Sequence, residues 1–115
     1  MNYQGSCHCG AISFEVTGTI DGALDCNCSM CVRKGALLWF VPRDALRLDA
    51  APDAIGTYTF NRHVIKHNFC KTCGIHAYGE GTAPDGTAMA AINLRCLEGI
   101  DLTGIPVQHY DGRAA

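Results

Sequence analysis

The chain has 115 residues, of which 48% are hydrophobic and 17% charged, which excludes a disordered protein and predicts one domain over residues 1–115. A formal net charge of −2 offers no basic surface to a phosphate backbone, so we expect no nucleic-acid partner. The N-terminus lacks the pattern of a signal peptide, and the longest apolar run, 36–41, is too short to cross a membrane. We therefore expect a soluble, cytoplasmic protein without a membrane partner.

Alternation of apolar and polar residues predicts a mainly β protein with little helix. Ile12, Phe14 and Val16 alternate with polar residues and predict a half-buried strand over 11–16. Short helical turns are predicted after Ser29, as an N-cap, and after Pro42. Further strands, separated by turn-forming residues, are predicted in chain order over 37–41, 46–48, 56–60, 64–69, 75–79 and 89–94.

Seven of the eight cysteines lie in three tight groups whose spacing is typical of zinc ligands. The groups are Cys7 with Cys9, Cys26 with Cys28 and Cys31, and Cys70 with Cys73. Thiolates one or two residues apart can reach neighbouring corners of a zinc tetrahedron, whereas such pairs form disulfides poorly. Gly10 and Gly74 would let the backbone turn tightly around an ion. The sequence therefore predicts two Zn²⁺ ions.

Sequence distance suggests how the cysteines share the ions. Cys26, Cys28 and Cys31 lie within six residues, so one loop can wrap around a single ion. The remaining two pairs would then close a four-cysteine structural site that joins distant parts of the chain. The spacing also permits another pairing, in which Cys7 and Cys9 join Cys26 and Cys28 while Cys31 joins the late pair.

The three-cysteine site has one corner without a predicted protein ligand. An open corner is the mark of a catalytic zinc, because a substrate can bind there. If a further side chain fills that corner instead, both ions are structural. The candidates for this fourth ligand are His8, His63, His67, His76 and Cys96.

Four segments of the chain resemble the glutathione-dependent formaldehyde-activating enzyme family, which includes centromere protein V. The segments are Gly5–Ile12, Cys26–Cys31, Phe69–Gly74 and Ile92–Leu97. The resemblance implies a β-tent zinc-binding fold of several short antiparallel strands. It also implies a structural ion on Cys7, Cys9, Cys70 and Cys73, and a second ion on Cys26, Cys28 and Cys31 near the chemistry.

The founding reaction of that family, addition of the glutathione thiol to formaldehyde, suits such a metal. We therefore interpret the chain as a carbon–sulfur lyase-type enzyme with a small-molecule thiol and aldehyde as partners, and Cys26, Cys28 and Cys31 as its catalytic metal ligands. Arg33 and Lys34 could attract an anionic thiol, or could be solvated surface charges.

Aromatic residues and histidines near the motifs are further candidates for the site. Tyr78 and His76 could line a pocket, whereas we expect Trp39 and Phe40 to pack in the core rather than form a pocket wall. We expect His67 to be a strand histidine with an ordinary hydrogen bond, a proton shuttle being the alternative.

Two other functions compete with the enzyme interpretation. In the first, Cys96 beside Arg95 is the attacking thiolate of a redox enzyme, although a buried inert cysteine is the commoner case. In the second, both zinc sites are closed and the domain is a non-catalytic module that binds another protein.

Overall fold

The computed structural model describes residues 1–60 and 64–112, and in this part the chain forms two β-sheets. The strands are, in chain order, β1 Asn2–Ser6, β2 Ser13–Thr17, β3 Ala23–Cys26, β4 Leu38–Pro42, β5 Leu46–Asp49, β6 Ile55–Tyr58, β7 Lys66–Cys70, β8 Tyr78–Thr82, β9 Ala88–Asn93 and β10 Val107–Tyr110. One α-helix, α1 Ser29–Lys34, follows β3. Four 3₁₀ turns complete the described structure, at Arg43–Ala45, Pro52–Ala54, Leu94–Cys96 and Leu102–Gly104.

The smaller sheet has the strand order β1-β2-β5, and the larger has β10-β3-β4-β9-β8-β7-β6. All neighbouring pairs are antiparallel except β10 and β3, which run parallel with Val107 opposite Ala23. The predicted mainly β class with antiparallel pairing is therefore confirmed. No helix in the described ranges is long and apolar enough to cross a membrane.

Side chains from both sheets share one core. Ile12, just before β2, and Val16, on β2, are fully buried. Ile92 on β9 and Leu94 just after β9 are fully buried as well. At Gly5 a side chain would meet the Phe14 ring at 2.5 Å, so the absence of a Cβ lets β1 approach β2 closely. This shared core holds the loop after β1 against the larger sheet.

Three strands were missed by the sequence analysis because they carry little apolar alternation. β1 contains polar residues and Gly5, β3 has only four residues, and all four residues of β10 are exposed. The strand predicted over 75–79 begins late, at Tyr78, because Ile75 closes the preceding turn by accepting a hydrogen bond from the Cys70 N–H at 3.0 Å. The turn-forming residues 61–63, which separate the strands predicted over 56–60 and 64–69 and include His63, lie outside the described residues.

The two predicted helical turns are present, but the first has a different cap. Cys28, not Ser29, is the N-cap of α1, and its Sγ accepts a hydrogen bond from the Cys31 N–H. Gly35 ends the helix in the left-handed region at φ 68°, which favours glycine. The cap therefore ties the helix start to the cysteine motif itself.

Candidate metal centres and the adjoining cleft

Four cysteines from distant parts of the chain meet between the two sheets. Cys7 and Cys9 lie in the loop after β1, Cys70 ends β7, and Cys73 lies in the turn that follows. Their four Sγ atoms lie within 4.8 Å of one another. The Sγ atoms of Cys7 and Cys9 are 3.8 Å apart, and those of Cys9 and Cys70 are 3.5 Å apart. Tetrahedral Zn²⁺ with Zn–S bonds of about 2.3 Å would separate its sulfurs by about 3.8 Å, so this four-sulfur cluster fits a zinc ion.

The turns that carry these sulfurs are shaped to receive an ion. Gly10 and Gly74 adopt φ values of 84° and 80°, where a side chain would strain the backbone, as the sequence suggested. The Cys70 Sγ accepts hydrogen bonds from the backbone N–H groups of Thr72 at 3.3 Å and Cys73 at 3.4 Å. Donors that point at sulfur stabilise a thiolate over a thiol.

The close contacts drive the thiol pKa values in this cluster apart. The backbone N–H of Ile75 is the main cause that lowers the pKa of Cys73 to about 6. At Cys9, the N–H of Ala11 acts to lower the pKa, but the adjacent Cys70 and Cys7 thiols and desolvation raise it to about 11. Neighbouring thiolates without a cation repel one another, so one group ionises easily at the expense of the other. A bound cation would remove this conflict.

The other three clustered cysteines form a second group at the end of β3. Cys26 is the last residue of β3, Cys28 caps α1 and Cys31 lies within the helix. Their Sγ atoms also lie within 4.8 Å of one another. Burial raises the pKa of Cys31 to about 12, so its thiolate needs a nearby positive charge. This three-sulfur cluster provides the soft donor set that zinc prefers.

The structure brings the cysteines together in the two groups favoured by sequence distance, rather than in the rival pairing of Cys7 and Cys9 with Cys26 and Cys28. Among the described residues, no histidine, cysteine, aspartate or glutamate joins the three-sulfur cluster as a fourth donor. Cys96, a candidate for that position, lies near Cys7 and Cys73 instead. Of the candidate histidines, His63 lies outside the described residues.

The chain returns to the three-sulfur cluster at its C-terminal end. The carbonyl of Tyr110, the last residue of β10, accepts a hydrogen bond from the Asn27 N–H at 3.1 Å. Gly112 then packs so tightly that a Cβ there would lie 2.6 Å from the Cys26 Sγ and 3.0 Å from the Cys28 Cβ. Sequence reasoning missed Gly112 because its importance comes from this contact and not from any motif.

A cleft of about 740 Å³ opens beside the three-sulfur cluster, and all three cysteines line it. Lys34 also lines the cleft, and its ammonium group interacts with the three thiolates. Burial lowers the pKa of Lys34, although the cysteine charges act to raise it. Arg33, by contrast, is exposed and donates from Nη1 to the Ser29 carbonyl in its own helix, at 2.8 Å. The structure therefore separates two cations that the sequence treated alike.

His67 lines the same cleft, and its imidazole is largely buried. The residue is only 7% exposed, and its Nδ1 has no hydrogen-bond partner in the described part of the chain. The expected ordinary hydrogen bond is therefore absent at Nδ1. Burial is the main cause that lowers the pKa of His67 to about 4, so the ring is neutral near pH 7. Its ring stacks on Phe60 with a centroid distance of 5.4 Å.

Two expectations about pocket residues were wrong. Tyr78 is buried in the core, and neither Tyr78 nor His76 lines the cleft. Trp39 packs in the core against Tyr3 as expected, whereas Phe40 is 49% exposed and forms part of the cleft wall. Adjacent strand residues point to opposite faces, so Trp39 packs inward while Phe40 is half exposed.

Cys96 has the environment of an inert thiol. Burial, together with the charges of Cys7 and Cys73, raises the pKa of Cys96 to about 11. Arg95 is exposed and does not offset this effect. A thiol that stays protonated near pH 7 is a poor nucleophile, which argues against the redox interpretation.

Comparisons with known proteins point to one family. The model of the family described as "Glutathione-dependent formaldehyde-activating enzyme" matches residues 2–108. A Talaromyces marneffei protein and a Colletotrichum graminicola protein, both provisionally named glutathione-dependent formaldehyde-activating enzyme, are 33% and 30% identical over 79 and 92 residues. These alignments cover 64% and 72% of this chain but only 42% and 48% of the relatives, so the chain spans less than half their length.

A solved structure shares the fold. The crystal structure of a Rhodobacter sphaeroides protein, a structural genomics target, has 31% sequence identity and a TM-score of 0.77. The match covers 94% of this chain and 100% of the other chain. The arrangement of the two sheets therefore recurs in a protein of similar extent.

The first prediction compares one cysteine from each cluster. Cys73→Ser should lose zinc and lower the melting temperature by about 10 °C or more, because its ion would join the two sheets. Cys28→Ser should stay folded and lose only the second zinc. Elemental analysis should find close to two zinc ions in the unaltered protein and close to one in Cys28→Ser, while circular dichroism follows melting. Equal collapse of both variants would mean that both clusters are structural.

The second prediction concerns the contact at Gly112. Gly112→Ala should lower the zinc affinity of the three-sulfur cluster by about tenfold, because the new Cβ must displace the Cys26 Sγ. Competition with a fluorescent chelator measures the affinity of each ion. Gly104→Ala is the matched control, since a Cβ there meets nothing within 4 Å. Unchanged affinity in Gly112→Ala would contradict the predicted contact.

The third prediction follows from the pKa of His67. Between that pKa of about 4 and the unfolded value of 6.5, the unfolded chain binds more protons, so the free energy of unfolding falls as the pH is lowered. From pH 7 to pH 5, the free energy of unfolding should fall by about 2 kcal/mol more in the unaltered protein than in His67→Phe. The phenylalanine in this variant keeps an aromatic ring against Phe60. Denaturant titrations at both pH values measure this difference. Replacement of the exposed His109 by Gln is the control, and equal pH dependence in all three proteins would refute the assignment.

Proposed function

Because the chain belongs to the glutathione-dependent formaldehyde-activating enzyme family, we propose that it is a zinc-dependent carbon–sulfur lyase-type enzyme. It adds a thiol, glutathione or a similar one, to a small aldehyde such as formaldehyde. The observation that carries the proposal is the position of the three-sulfur cluster on the wall of a cleft of about 740 Å³. A ligand site needs such access from solvent.

The donor set supports a catalytic rather than a structural ion at this cluster. Cys26, Cys28 and Cys31 supply three sulfurs, and none of the described residues adds a fourth donor. Three protein ligands with a remaining position for substrate are typical of catalytic zinc. Zinc bound there would lower the pKa of an incoming thiol and so favour its nucleophilic thiolate form.

The addition needs one proton to move and involves no oxidation or reduction. The thiol sulfur forms a bond to the carbonyl carbon, and the π electrons of the C=O bond move to oxygen. That oxygen then takes the proton lost by the thiol, and with formaldehyde the product is an S-hydroxymethyl adduct. In our proposal, the imidazole of His67 relays this proton, since the ring is neutral and lines the cleft.

Lys34 is the cation placed to receive an anionic thiol such as glutathione. Its side chain lines the cleft and lies near all three sulfurs of the cluster. Three thiolates around one Zn²⁺ carry a net charge near −1, which would repel a carboxylate. Lys34 offsets that repulsion, so we assign it a role in binding rather than in bond formation.

The four-sulfur cluster takes the structural part in this proposal. Its ligands come from both sheets, and an ion there would close all four positions with protein sulfur. No disulfide joins any of the eight described cysteines, which supports our placement of the protein in the reducing cytoplasm.

The fourth prediction tests the reaction and the role of Lys34 together. Exchange NMR on glutathione and formaldehyde should show faster addition with the zinc-loaded protein than without it. Lys34→Met should raise KM for glutathione about fivefold and leave kcat nearly unchanged, because a partly exposed ion pair contributes up to about 1 kcal/mol. Arg33→Met is the matched control on the same helix and should match the unaltered protein.

The charge of the thiol separates recognition from a general effect on the site. With the neutral thiol 2-mercaptoethanol, Lys34→Met should change KM little. Absence of any acceleration, with full zinc content, would reject the proposed enzyme in favour of a zinc-containing binding module. Equal effects of Lys34→Met on the neutral and the anionic thiol would reject the proposed role of Lys34.

A further inference from the structure

The cleft beside the three-sulfur cluster is larger and more apolar than formaldehyde requires. Its volume of about 740 Å³ falls within the range of about 300–1,000 Å³ that is usual for sites of drug-sized ligands. Formaldehyde has only two non-hydrogen atoms. Glutathione is larger, but it is a charged peptide, so neither reactant would match the apolar walls of the cleft.

Large apolar side chains stand exposed around this cleft. Phe40 on β4 is 49% exposed, Val64 and Ile65 just before β7 are 60% and 55% exposed, and Tyr110 on β10 is 46% exposed. All four line the cleft. Isolated exposed apolar residues are ordinary, but several around one concave surface indicate a binding site.

The floor between these walls is made of small residues. Ala91 on β9 lies opposite Phe40 on β4 and opposite Gly79 on β8. A Cβ at Gly81 would lie in van der Waals contact with Ile65 Cγ1, at 3.8 Å, so the absence of a side chain leaves that space free beside Ile65. Small residues beneath large walls leave room for a flat or extended apolar group.

The main acidic group of the cleft is already paired. Glu80 accepts from Arg43 Nε at 2.7 Å and from Asn68 Nδ2 at 2.9 Å, so both carboxylate oxygens have partners. Lys34 and His67 lie in the same cleft as the sulfurs. Recognition of a charged group therefore falls to the residues beside the three-sulfur cluster, and the remaining walls of the cleft offer mainly apolar contact.

We propose that this cleft binds an apolar group, aliphatic or aromatic and of about six or more carbon atoms, carried by the aldehyde or by the thiol. The proposal rests on the proposed function, because it places that group next to the reacting atoms at the three-sulfur cluster. Burial of each additional methylene should strengthen binding by up to about fourfold. Apolar substrates should therefore be preferred over formaldehyde with a small thiol.

Benzyl alcohol tests the binding site without requiring any reaction, because it carries neither a thiol nor an aldehyde. Titrated into the ¹⁵N-labelled, zinc-loaded protein, it should shift the amide signals of Phe40, Ile65 and Ala91 in a saturable manner, whereas methanol should not. Phe40→Ser and Ile65→Ser should each weaken binding about fivefold, and both positions are exposed enough to tolerate serine. Val107→Ser is the matched control, since Val107 is 40% exposed but lies outside this cleft.

Two comparisons of reaction rates identify which reactant carries the apolar group. The first compares heptanal, whose alkyl chain has six carbon atoms, with formaldehyde at fixed glutathione, and the second compares phenylmethanethiol with 2-mercaptoethanol at fixed formaldehyde. The acceleration over the uncatalysed rate should be about tenfold greater for the apolar reactant in one comparison. Phe40→Ser should reduce that preference.

The outcomes separate this proposal from the proposed function. Saturable binding of benzyl alcohol in the cleft without acceleration of any pair would support the apolar site and reject the enzyme. Acceleration of glutathione addition to formaldehyde, without binding of benzyl alcohol or preference for an apolar reactant, would overturn the apolar site and leave the enzyme intact. Equal weakening by Val107→Ser would also overturn it.

Discussion

Four cysteine sulfurs from two sheets lie within 4.8 Å of one another, and so many thiolates cannot remain together without a cation between them. The rest of the structure depends on this four-sulfur cluster. Cys7 and Cys9 follow a strand of the smaller sheet, whereas Cys70 ends a strand of the larger sheet. A zinc ion there would reinforce the core that Ile12 and Val16 share with Ile92, which is a substantial contribution in a domain of this size.

The three-sulfur cluster is built differently, because all of its ligands come from one short segment. Cys26 ends β3, and Cys28 caps the helix that contains Cys31, so local structure alone brings the three sulfurs together. The rest of the fold supplies the surroundings. The return of the chain through β10 sets Gly112 against Cys26, and Gly112 lines the same cleft as residues of β4, β8 and β9. The cluster is therefore in tight contact with the C-terminal segment and also open to a ligand.

Charge and burial divide the cleft into two ends. Lys34 and the neutral His67 share the cleft with the sulfurs, while Phe40 and Ile65 expose apolar surface on its walls. Glu80 forms an ion pair with Arg43 and accepts a hydrogen bond from Asn68, so its carboxylate is already paired. This division is the reason that we assign a polar, reacting end and an apolar, selecting end to the cleft.

Much of the fold followed from local patterns. Alternation revealed β2 because Ile12, Phe14 and Val16 all face the core, and the mainly β class followed from such segments. The same reasoning missed β10, whose four residues are all exposed and which is held by parallel pairing to β3. It also began β8 too early, because Ile75 is used to close the turn around Cys70.

The sequence by itself determined the three cysteine motifs and their suitability for a metal such as zinc, because ligand spacing within a short loop is a local property. Only the tertiary structure decided which motifs share a cluster and what surrounds each cluster. Lys34 and Arg33 are neighbours in sequence, yet the helix directs one into the cleft and leaves the other exposed. Gly112 reaches Cys26 only because a strand far along the chain pairs with β3. Such contacts depend on which distant segments share a sheet and which face of a strand each side chain occupies, and spacing along the chain does not encode either directly.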